Sequence, residues 1–134
     1  MNQVFALQGA GTTGKTTTIK CIFDLLKEKY PKSEVTDLRP GTYDIKVLID
    51  INGTLVGIES QGDPNSNLET SLPELVKNKC DIIICACRTR GMTTDWIGKI
   101  KGYKINFVSQ TISKSNRKVV NNNTAVRIIE MAGL

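Results

Sequence analysis

Residues 9–16 read Gly-Ala-Gly-Thr-Thr-Gly-Lys-Thr, and with their flanks they confine the chain to few folds. Before them, Val4, Phe5, Ala6 and Leu7 form a short apolar run suited to a buried strand. After them, Ile19, Ile22, Phe23, Leu26 and Tyr30 recur at helical spacing, an amphipathic stripe that Pro31 should end. Gly9, Gly11 and Gly14 permit backbone conformations closed to other residues, so successive N–H groups can point into one hollow. The first turn of the helix adds free amides and the positive end of its dipole. Such a hollow suits an anion, and Lys15 sets a cation beside it.

The run fills the pattern GxxxxGK[ST] without a departure. It resembles the Walker A motif of the P-loop NTPase superfamily. That resemblance implies a nucleoside triphosphate bound with Mg²⁺. The backbone of Gly9, Ala10, Gly11, Thr12, Thr13 and Gly14 would cradle the phosphates. Lys15 would lie against the β- and γ-phosphates as a catalytic cation, and the Thr16 hydroxyl would ligate Mg²⁺. Thr17 and Thr18 read as phosphate-contacting or helix-surface groups.

With 134 residues, the expectation is one nucleotide-binding domain over residues 1–134. No apolar run approaches the roughly 18 residues of a membrane span. Met1-Asn2-Gln3 does not read as a signal peptide, so the expected location is cytoplasmic and no membrane partner is expected. The formal net charge of +5 fits phosphate handling, but only Lys114, Arg117 and Lys118 cluster, without interleaved aromatics. That argues against a dedicated nucleic-acid surface. The four cysteines, Cys21, Cys80, Cys85 and Cys87, lack the spacing of a zinc site, and there is no histidine. They read as reduced thiols packed in the core. Any proton transfer then falls to carboxylates, lysines or water.

A polar segment, 32–44, contains the turn signal Arg39-Pro40-Gly41. Two β-rich runs, 45–51 and 54–59, flank Asn52-Gly53, which predicts a tight antiparallel hairpin. A helix is expected from about Leu68 to Lys79, with Pro73 in its early part. The continuous apolar run 82–87 predicts a strand covered on both faces. Thr93 or Thr94 should cap a short helix through Trp96, Ile97 and Ile100, which offers with Met92 either core packing or a self-association patch. Residues 105–108 read as a strand, and Asn123 or Thr124 should open a last helix. The pattern predicts a three-layer α/β domain of the P-loop NTPase type, with a mainly parallel sheet of about five strands and one antiparallel hairpin.

A phosphate loop needs an acid near the metal, commonly at the end of a neighbouring strand. The run ending at Cys87 offers only Arg88, whereas the second hairpin strand ends Glu59-Ser60-Gln61-Gly62-Asp63. Glu59 is therefore the expected acid, holding a metal-bound water or orienting the attacking one, with Gln61 beside it and Asp63 in reserve. This order of elements is similar to the layout of Ras-like GTPases, where the second hairpin strand leads into a DxxG switch. Here the stretch reads ExxG, and the polar segment would correspond to the first switch, with Thr42, or else Thr36, as a second Mg²⁺ ligand. Guanine-specific members carry NKxD after a later strand. The matching stretch, Val108-Ser109-Gln110-Thr111, has neither the lysine nor the aspartate, which leaves ATP as the expected nucleotide.

Arg88 and Arg90 follow the buried strand, where ligands sit in open α/β sheets. Either would neutralise charge on a transferring phosphoryl group or grip an acceptor phosphate. Arg117 would close over the nucleotide as a lid. Two function classes follow, an ATPase or nucleotide-dependent switch whose acceptor is water, and a small kinase acting on a nucleoside, nucleotide or other small-molecule acceptor. A third is a nucleotide-binding subunit that takes an arginine from a protein partner.

Overall fold

The computed structural model describes residues 2–9, 14–41, 44–60, 68–87, 92–109 and 117–134, with side chains from residues 72, 95 and 122 onward in the last three segments. In chain order they form β1 (Gln3–Gln8), α1 (Lys15–Lys29), β2 (Glu34–Asp37), β3 (Lys46–Ile51), β4 (Thr54–Glu59), α2 (Leu68–Lys77), β5 (Ile82–Cys87), α3 (Met92–Gly98), β6 (Lys104–Ser109) and α4 (Arg117–Met131). The strands make a single six-stranded sheet in the order β2-β3-β4-β5-β1-β6.

Strand β1 runs inside the sheet, parallel to β5 on one side and β6 on the other. Its apolar residues alternate between two cores, as the period of a strand requires. Phe5 and Leu7 join Ile19, Ile22 and Leu26 of α1 and Ala125, Ile128 and Ile129 of α4. Val4 and Ala6 face the other way, with Ile83, Cys85 and Cys87 of β5, Leu72 and Leu75 of α2 and Ile97 of α3. Helices thus cover both faces, an arrangement compatible with the expected three layers.

The sheet is mixed, with three parallel and two antiparallel pairings, and it has a strand more than expected. The Asn52-Gly53 hairpin forms as predicted: both residues have positive φ, 52° and 92°, and they join Ile51 to its partner Thr54. The additional strand, β2, pairs antiparallel with β3. Its residues Glu-Val-Thr-Asp carry little apolar signal because it is an edge strand, with only Val35 half-buried. The sequence there reads as a polar segment for that reason. Thr36 lies in this ladder opposite Leu48, and β3, β4 and β5 separate it from β1, which removes it from the candidate site.

Two helix starts also differ from expectation. Helix α3 begins at Met92, so Thr93 and Thr94 lie inside it rather than before it. Helix α4 begins at Arg117 and not at Asn123 or Thr124. The stretch Val119-Val120-Asn121-Asn122-Asn123 has poor helix propensity, and packing of α4 against α1 overrides it. Arg117 is therefore the first residue of a helix instead of part of a loop.

Gly57 is fixed by close packing. A Cβ there would meet Cys80 Sγ at 2.9 Å and Leu75 Cδ2 at 3.1 Å, so α2 and its C-terminal turn lie directly on β4. Gly57→Val should lower the unfolding free energy by about 2–3 kcal/mol in a urea titration. A loss under about 0.5 kcal/mol would show that α2 can lift from the sheet at little cost. No described helix is long and apolar enough to cross a membrane.

Candidate functional site

The carboxyl ends of β1, β5 and β4 lie along one edge of the sheet, because these strands run parallel. At that edge β1 ends in Gln8 and the chain enters the glycine run. The Gly9 amide donates to the Cys87 carbonyl at 3.1 Å, which ties the start of the run to the tip of β5. The run closes at Gly14, whose φ of 85° lies in the left-handed region that favours glycine. Gly14 caps α1 without a side-chain cap, and its carbonyl accepts from the Thr18 amide at 3.0 Å.

Lys15, the first residue of α1, is 6% exposed. Its ammonium donates to the Gly9 carbonyl at 2.6 Å and to the Cys87 carbonyl at 3.0 Å. A buried cation is tolerated only where such partners replace water, and charge-assisted bonds of this kind are each worth about 1.5–3 kcal/mol. The geometry holds a lysine ammonium at the mouth of the glycine run, between two strand tips. Thr16 follows, half-buried in the first turn of α1. Thr17 is exposed. Thr18 is fully buried, so it is not a surface group, and its hydroxyl donates to the Gly14 carbonyl at 3.1 Å, which clamps the helix start.

Glu59 ends β4, and it is completely buried. The expectation of an acid on the strand next to β1 is not met, since β5 lies between them. Two strand spacings amount to roughly 10 Å of lateral separation. The carboxylate is also engaged: Arg39 Nη1 donates to Glu59 Oε1 at 2.9 Å, with the arginine side chain 19% exposed. Arg39 carried no signal beyond a turn. What brings it to Glu59 is the β2–β3 ladder, extended by the Leu38 amide donating to the Lys46 carbonyl at 2.8 Å. Lys46 stands opposite Glu59 in the hairpin register and is itself buried, but its ammonium turns to Glu74 Oε2 at 2.6 Å. The hydrogen bond and charge of Lys46 hold the Glu74 carboxyl below its usual range.

Ser60, just past Glu59, locks the two ends of the hairpin together. Its hydroxyl accepts from the Ile45 amide at 2.8 Å and donates to Asp44 Oδ1 at 2.9 Å, and its own amide donates to the Ile45 carbonyl. The residues brought to this edge are thus Gly9, Gly14, Lys15, Thr16, Arg39 and Glu59. Ala10, Gly11, Thr12, Thr13, Thr42, Gln61, Asp63, Arg88 and Arg90, with the side chain of Arg117, lie outside the described residues.

The cysteines are free thiols, and Cys80, Cys85 and Cys87 are buried. Burial pushes the Cys80 thiol up to about 11, and burial also raises Cys85 well above the ordinary thiol value. Cys21 is half-buried, raised by burial and then by Asp24. A raised thiol stays protonated at pH 8 and reacts slowly, because the thiolate is the nucleophile. In a thiol-reagent assay at that pH, Cys21 should react first, and Cys21→Ser should remove the native-state signal. The other three should react only on unfolding. No group of histidine, cysteine or carboxylate side chains among the described residues forms a metal cluster. Comparisons with protein-family models, with curated proteins and with solved structures find no match to this chain.

Proposed function

We propose that the chain is a P-loop nucleoside triphosphatase, with ATP as the expected nucleotide, that works as a nucleotide-dependent switch. The observation that carries this reading is the placement of Lys15: a buried ammonium held at the mouth of a glycine run, between the Gly9 and Cys87 carbonyls. A lysine held there exchanges carbonyl partners for phosphate oxygens with a small movement, and the exchange is favoured by full charge opposition. The α1 amides and dipole then face the same polyphosphate.

The donor set fits Mg²⁺ that arrives with the nucleotide rather than a resident metal. Thr16 offers a hydroxyl oxygen and Glu59 a carboxylate, both hard ligands, and Mg²⁺ keeps several waters and takes few protein ligands. When bound, the ion neutralises charge on the phosphates. Thr16 would hold it directly and Glu59 through water, consistent with the distance between β4 and β1. Glu59 would also orient the attacking water. Its present bond to Arg39 ties that carboxylate to the β2–β3 connection. A change of partner at Glu59 would be felt in the connection, which is the output expected of a switch.

Purified protein with ATP and Mg²⁺ should release phosphate without any added acceptor. Transfer to a nucleoside or nucleotide with little release would replace hydrolysis by a kinase reaction. Glu59→Gln keeps the shape of the side chain and removes its charge. It should leave nucleotide affinity within about threefold while slowing turnover by about 100-fold, the cost of losing a water-positioning group. Unaltered turnover would take Glu59 out of the mechanism.

A further inference from the structure

Helices α2 and α3 lie side by side on one face of the sheet and leave a groove of about 340 Å³ between them. Leu72, Pro73 and Val76 line one wall, at the i, i+1 and i+4 positions of α2. Trp96, Lys99, Ile100 and Lys101 line the other. The floor is apolar, while Lys99 and Lys101 are exposed. Lys77 and Lys79, at the end of α2, are exposed as well. Of the described carboxylates on these two helices, Glu74 is bonded to Lys46, and Asp95 stands one turn before Lys99. Among the described residues the balance at the groove is therefore positive.

We propose that this groove is a docking site for an acidic amphipathic helix of a partner protein. The paired helices form a valley into which a third can lay its apolar face, with side chains at i, i+3, i+4 and i+7. The lysines set the sign of the flanking charges on the occupant. The concave shape fits protruding side chains better than a bilayer surface. The aliphatic walls, with a single aromatic, do not make a stacking platform for nucleic acid. The inference stands on the groove alone and is independent of the nucleotide reading.

Trp96 is the only tryptophan in the chain, so intrinsic fluorescence reports directly on the groove. The full chain would be used to select from a displayed library of amphipathic helices of about five turns, varied in flanking charge. The best-enriched helix would then be titrated against Trp96 emission. The selected helices should carry Asp and Glu beside an apolar stripe and shift the emission saturably. Lys99→Glu with Lys101→Glu should weaken binding about tenfold, and Val76→Glu should abolish it. The lysine pair is exposed, so that variant keeps the test decisive should Val76→Glu fail to melt cooperatively. The proposal is overturned if no helix is enriched over the groove variants, or if the winners are flanked by basic or neutral residues. It is equally overturned if a polyuridine strand or anionic vesicles give the saturable Trp96 shift in place of the helix.

Discussion

Lys15→Ala should lower ATP affinity by about 100-fold, read by calorimetric titration in the presence of Mg²⁺. The magnitude follows from what the side chain supplies. A buried ammonium opposite a triphosphate makes charge-assisted hydrogen bonds in a site with little water, and losing one such contact costs about 1.5–3 kcal/mol. Lys15→Arg should not restore the affinity. The guanidinium is a planar fork, whereas the observed ammonium is a compact charge seated between two carbonyls 2.6 and 3.0 Å away. Lys15→Ala also leaves the Gly9 and Cys87 carbonyls without their cationic donor. A loss of about 1 kcal/mol in the stability of the nucleotide-free protein should accompany it. An ATP affinity equal to that of the native chain would refute the proposed phosphate site.

Arg39→Ala should destabilise the fold by about 3 kcal/mol in urea denaturation. Glu59 is fully buried, and removing the guanidinium leaves its carboxylate in the interior without that partner. The cost comes from the buried charge that loses this partner rather than from the pair itself, since an ion taken out of water recovers its desolvation only through the groups that face it. Arg39→Met combined with Glu59→Leu should therefore recover most of the loss. A double variant as unstable as Arg39→Ala would show that the pair contributes through shape and not charge. Arg39 is 19% exposed, so water partly relieves its own side of the pair, and Glu59→Gln should cost less than Arg39→Ala.

Where the sequence could be read, a local rule decided the outcome. Asn52-Gly53 demanded two consecutive positive φ angles, and no other residues nearby could supply them. The apolar run of β5 had no polar face to offer solvent, which placed it inside the sheet. The position of Lys15 at the start of α1 followed from the glycine run and the helical stripe behind it. Where reading failed, the deciding contact was remote. Strand β2 exists because β3 offers it a ladder, not because Glu34, Val35, Thr36 and Asp37 favour one. The early turns of α4 lie in an asparagine-rich stretch of poor helix propensity, ahead of the turns whose Ala125, Ile128 and Ile129 share a core with α1. The order of strands was equally hidden. Nothing near Glu59 announces that β5 will insert between β4 and β1, so the expected neighbour of the glycine run proved to be one strand further away. Arg39 illustrates the same limit, because its partner lies on a strand it reaches only through the sheet.

The pairing of β1 has a consequence for how the molecule comes into being. Gln3 is registered against Ile82 on one side and Lys104 on the other. Closing loops of that size costs entropy before any contact rewards it. During synthesis the meander from β2 to β4 can assemble from near neighbours in the sequence. The first strand must wait until Cys87 has emerged before the carbonyl that seats Lys15 exists in place. Strand β1 is thus among the last of these elements to find its native surroundings, and Lys15 has no complete seat until β5 is in place.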